Sequence, residues 1–89
     1  MKILRFNEAH NIAGNNIKKL RRERNLTQEQ VVARMQTYGI QIDQKAISRI
    51  ENGDRIITDY ELKRFAQILN TTVENLLRDS IYDPGDENV

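Results

Sequence analysis

Apolar residues recur every three or four positions from Ile12 to Leu77, separated by polar runs, which is the spacing of helices that bury one side. Ile12, Ile17 and Leu20, with Leu26 after a break at Asn25, predict a first helix from about Asn11 to Arg24. The run TQEQ, Thr27 to Gln30, has the form of a capping box and opens a second helix with Val31, Val32 and Met35 inward. It runs to about Tyr38 and stops at Gly39, a residue suited to a left-handed C-cap. Asp43 is a good N-cap for a third helix, Gln44 to Asn52, halted by Gly53. Within it Ile47 and Ile50 share one side, while Gln44, Lys45, Ser48 and Arg49 keep the other polar. Thr58 with Glu61 repeats the capping box ahead of Leu62, Phe65, Ala66 and Leu69. Thr71 with Glu74 is expected to do the same for a short fifth helix holding Val73, Leu76 and Leu77. Only the start MKILRF is strand-like, and one strand needs a partner to persist.

These elements divide the chain into an N-terminal arm (1–10), one helical domain (11–78) and an acidic tail (79–89) around YDPGDENV, whose composition offers little to bury. At 89 residues the chain suits a single small domain. It has no Cys and one His, His10, so neither a zinc site nor a histidine-based catalytic dyad is expected. No nucleophile and base stand together, and no glycine-rich phosphate loop occurs; enzymatic activity and a cofactor are not expected. No apolar run reaches the length of a membrane span or a signal peptide, which predicts a cytoplasmic protein.

Charge adds an asymmetry that the total of +1 conceals. Residues 1–55 hold 11 Lys/Arg and 6 Asp/Glu, net +5, whereas residues 56–89 hold 3 and 7, net −4. The basic half includes KKLRRER, Lys18 to Arg24, which is either a solvated helix surface or part of a polyanion-binding face. A short third helix with a polar outer side fits the major groove of DNA, about 12 Å wide.

Leu20 and Arg21, LTQEQVV at 26–32, AISRIENG at 46–53 and TDYELKRFAQILNTTVENLL at 58–77 together resemble the lambda-repressor-like, Cro-type helix-turn-helix family, also called the xenobiotic response element family. The resemblance covers about Ile12 to Leu77. It implies an all-α, five-helix DNA-binding domain, usually a homodimer on an inverted-repeat operator, and most often a bacterial or phage transcriptional repressor. It places Gln44, Lys45, Ser48 and Arg49 at the base-reading positions. Gln can pair bidentately with adenine, Lys or Arg can serve guanine, and Ser is permissive. It places Thr27, Gln28, Asn52 and Arg55 near DNA phosphate, with Gln28 also bracing the third helix. Arg21 and Glu51 match a structural ion pair between the first and third helices.

Two departures from the family pattern stand out. QTYGIQI, Gln36 to Ile42, lengthens the connection between the second and third helices; an extra helical turn and an extended Ile40–Ile42 pinned by its isoleucines would absorb it. Val32 stands where the family commonly has a small Ala, which should widen the packing of the two helices slightly, and Ala33 is a doubtful compensation.

So few residues follow the fifth helix that a sensor domain has no room, and control is expected from concentration, dimerisation, a partner or an inhibitor. The alternative function is an antitoxin or adaptor that uses the same fold mainly to bind a protein. RNA binding is a weaker alternative, because few aromatic residues are available to stack on bases.

Overall fold

The computed structural model describes residues 9–78, which contain five helices and no strand. The helices are α1 (Gly14–Glu23), α2 (Gln28–Thr37), α3 (Gln44–Glu51), α4 (Asp59–Ile68) and α5 (Val73–Leu76). MKILRF and the acidic segment from residue 79 onward lie outside the described residues.

Three helix starts follow the local chemistry of their first turns. Thr27 accepts from the Gln30 N–H while the Gln30 side chain accepts from the Thr27 N–H, at 3.0 and 2.8 Å. Thr58 and Glu61 make the same reciprocal pair. Asp43 accepts from the Ala46 N–H at 2.8 Å. Each arrangement satisfies donors that the first helical turn leaves without a carbonyl partner.

The other two starts differ from expectation. α1 begins at Gly14 rather than Asn11, because the Asn11 side chain accepts from the Gly14 N–H and holds the preceding residues outside the helix. α5 is capped by Thr72, which accepts from Asn75, and not by Thr71 with Glu74. The reason lies at the end of α4. Asn70 takes a left-handed backbone with φ 55, so that the Thr71 N–H turns back to the Ala66 carbonyl at 2.9 Å and Thr71 is committed to closing α4. Asn25, φ 59, ends α1 in the same manner, with the Leu26 N–H on the Arg21 carbonyl.

Every helix contributes to one core. Ile17, Val31, Met35, Ile47, Ile50, Phe65, Leu69 and Leu76 are fully buried, each worth about 1.5–3 kcal/mol of transfer free energy. Leu20, Leu26, Val32 and Leu62 pack half-buried around them. Leu77, expected inward, is exposed. The long connection between α2 and α3 turns at Gly39, φ 80, and then alternates: Ile40 half-buried, Gln41 exposed, Ile42 buried. The two isoleucines therefore anchor the segment that delivers Asp43 to its capping position. Val32 faces the core while Ala33 faces solvent, so Ala33 does not relieve the β-branched packing.

Candidate nucleic-acid interface

α3 presents two unlike sides. Ile47 and Ile50 are fully buried, whereas Gln44, Lys45, Arg49 and the C-cap residue Asn52 are exposed and Ser48 is half-buried. The helix is short because Gly53, φ 81, supplies the left-handed residue that stops it.

Behind the outer side runs a connected polar network. Arg21 of α1 donates through Nε to Glu51 Oε2 at 2.6 Å and through Nη2 to Oε1 at 3.1 Å. Its Nη1 donates to the Leu26 carbonyl at 2.8 Å. The two side chains are only 11% and 1% exposed, so this is an ion pair in the interior. Gln28 adds a third donor to the same carboxylate, Nε2 to Oε1 at 3.0 Å, and its own Oε1 accepts from Gln44 Nε2 at 3.3 Å. Because Gln28 Nε2 faces a carboxylate, its amide can sit only one way round, leaving Oε1 to receive Gln44. A hydrogen-bonded path thus runs from α1 through buried Glu51 and the first turn of α2 to the first exposed residue of α3.

A second ion pair lies where the chain leaves α3. Arg55 donates through Nη1 and Nη2 to the two oxygens of Glu61 at 3.0 and 3.1 Å, and through Nη1 to the Ile56 carbonyl. Burial disfavours ionisation of the Glu61 carboxyl. The hydrogen bonds from Arg55 and from the Thr58 N–H, with the Arg55 charge, outweigh it and hold its pKa below the ordinary glutamate value. The hydrogen bond to Glu61 likewise raises Arg55 above the usual arginine value, against its own partial burial.

The residues singled out from the sequence therefore fall into three places. Gln44, Lys45, Ser48 and Arg49 line one side of α3; Thr27 and Gln28 open α2 beside it; Asn52 and Arg55 follow the C-terminal end, with Arg55 engaged by Glu61. The basic run Lys18 to Arg24 is divided by the fold. Arg21 is buried, and Arg24 Nε donates to the Leu69 carbonyl at the end of α4 at 2.9 Å, while Arg22 and Lys19 stay exposed. Side chains that reach backbone carbonyls far along the chain, Asn11, Asn16 and Arg24, carried no readable signal, nor did the partnership of Arg55 with Glu61. Among the described residues no group of three His, Cys, Asp or Glu could hold a metal ion, and no helix is long and apolar enough to cross a membrane.

A family profile for helix-turn-helix proteins matches residues 17–76, from the fourth residue of α1 to the last residue of α5. The chain belongs to the Cro-type helix-turn-helix family. No similar protein was found among curated sequences or among solved structures. In helix-turn-helix terms α2 and α3 are the paired helices of the motif, joined by a connection of six residues, Tyr38 to Asp43. Membership makes this a DNA-binding regulatory domain, and the five-helix, all-α architecture agrees with it.

Proposed function

We propose that this helix-turn-helix protein is a sequence-specific double-stranded DNA-binding regulator, a cytoplasmic repressor of bacterial or phage type, that inserts α3 in the major groove. The observation that carries the reading is the contrast within α3: an outer side bearing Gln44, Lys45, Ser48 and Arg49, rigidly backed by Ile47, Ile50 and the Arg21–Glu51–Gln28 network. Base readout needs polar side chains on a helix whose own position is fixed, and this arrangement supplies both. In this reading Thr27 and Gln28 meet phosphate beside the N–H groups opening α2, and Asn52 meets it past the C-terminal end of α3. Arg55 is assigned there as well, with Glu61 competing for the same donors.

Two copies would set two α3 helices on half-sites one duplex turn apart, about 34 Å, on an inverted repeat. Ile56, Tyr60 and Leu77, 47%, 62% and 41% exposed, are more apolar than a bare surface requires and support contact with a second protein chain. The same residues favour the alternative in which an antitoxin or adaptor uses this fold mainly to hold a protein partner.

Selection of bound duplexes from a random pool at near-physiological salt tests the proposal, with Gln44, Lys45, Ser48 and Arg49 all replaced by Ala in a folded control. The expected result is an enriched inverted repeat that the variant no longer selects. Weak binding without a consensus, erased by salt and equal in both proteins, would show attraction to phosphate alone and direct attention to the protein partner.

A further inference from the structure

The C-terminal end of α3 is held from a distance. A helix leaves its last carbonyls without intrahelical donors, and short helices feel this most. Here the Asp54 and Gly53 N–H groups close on the Arg49 and Ile50 carbonyls, and the residues ahead of α1 add further donors to the Ile50 carbonyl and to the chain that leaves the helix. Asn11 Nδ2 donates to the Ile50 carbonyl at 3.1 Å and to the Arg55 carbonyl at 2.7 Å, 39 and 44 positions along the chain. Its Oδ1 accepts from the Gly14 N–H at 2.6 Å, so one amide spends both donor hydrogens on the exit of α3 and its oxygen on the start of α1. One residue earlier, the His10 N–H donates to the Gly53 carbonyl at 2.7 Å. The approach is close enough to demand glycine: a Cβ on Gly14 would fall 2.0 Å from the Ile50 carbonyl oxygen. The ends of α3 are thus fixed by different partners, Gln28 and Asp43 at the start, and the His10–Gly14 clasp at the finish.

We propose that Asn11 is a positioning residue for DNA reading: through the Ile50 and Arg55 carbonyls it sets the angle at which α3 is presented, without touching DNA. The inference rests on the reading of α3 as the base-contacting helix. Bidentate contacts to base edges depend on placement within a fraction of an ångström, whereas attraction to phosphate tolerates small swings of the helix. Loosening the clasp therefore lowers discrimination between a chosen site and generic DNA more than it lowers generic binding.

The test uses the full chain with Asn11→Ala and Asn11→Ser, each shown to be folded by circular dichroism at the assay temperature. Ser can still accept from the Gly14 N–H and so preserves the start of α1, but it cannot reach the two carbonyls. The quantity read is the ratio of affinities for the selected duplex and a scrambled duplex at one salt concentration. The expected result is a fall of that ratio by about tenfold in both variants, with scrambled-duplex affinity and its salt slope unchanged. An unchanged ratio in both, a loss in Ala that Ser restores, or an equal loss on both duplexes would each overturn the proposal. The Ser variant, which keeps the local cap, carries the test if Ala does not fold. Failure of the wild type to select any duplex is a separate result, and it would count against the DNA-reading function itself.

Discussion

The two arginine–glutamate pairs are alike in chemistry and opposite in reach. Arg21 and Glu51 are 30 positions apart and join α1 to α3 across the interior, with Gln28 completing the carboxylate's partners. Arg55 and Glu61 are 6 positions apart and tie a single loop to the first turn of α4. The first pair decides how two helices face each other; the second decides only how one helix begins. Both carboxylates are nearly enclosed, at 1% and 7% side-chain exposure, but Arg55 is 31% exposed where Arg21 is 11%. Solvent near Arg55 screens and substitutes for its contacts, so the interior pair should dominate stability.

Substitution breaks the comparison most directly at its interior member. Arg21→Ala leaves the Glu51 carboxylate buried with Gln28 alone and should cost about 3–5 kcal/mol in urea unfolding, together with weakened DNA binding. An unchanged midpoint would remove the structural role assigned to this pair. Arg55→Ala should cost less, about 1–3 kcal/mol, since Glu61 retains the Thr58 N–H and solvent can approach. A cost equal to that of Arg21→Ala would show that reach along the chain is irrelevant.

Acidification sharpens the difference. The folded pKa of Glu61 is depressed, so its contribution is fully present above the ordinary glutamate value and is lost as pH falls through the lowered one. Glu61→Gln should therefore be less stable than wild type at neutral pH, and the gap should shrink on acidification, measured as thermal midpoints across that range. A constant gap would mean that packing, and not charge, holds Glu61. The smallest effect concerns DNA: Arg55→Gln should reduce the slope of log affinity against log salt by less than the value of about one expected of a free phosphate contact, its charge being already paired with Glu61.

The same contrast explains what was legible in the sequence. Thr27, Asp43 and Thr58 announce helix starts because a cap and its target lie three residues apart, and a local rule suffices. Gly39 and Gly53 announce turns because positive φ favours glycine. Asn25 and Asn70 take the same conformation with a less diagnostic residue, and so the expected cap at Thr71 was displaced to Thr72. The buried pair Arg21 and Glu51 was legible only through family resemblance, since periodicity says which side a residue faces and nothing about its partner. Asn11, Asn16 and Arg24 are the extreme case: their partners are backbone carbonyls, which every residue carries, so sequence cannot select among them. At the candidate interface, the polar side of α3 was visible as a pattern, while the division of the basic run between interior, helix end and surface required the fold.

The clasp from His10 to Gly14 also has a consequence in time. Its bonds to Ile50, Gly53 and Arg55 close a loop of about forty residues, and the chain entropy of that closure makes it an expected late step of folding. Contacts that form after the rate-limiting barrier leave the speed of folding nearly untouched and instead lengthen the life of the native state. Asn11→Ala should then leave refolding after a denaturant jump unchanged and hasten unfolding. The same amide that orients a helix would act as a latch, setting how long each molecule stays shut before the next spontaneous opening.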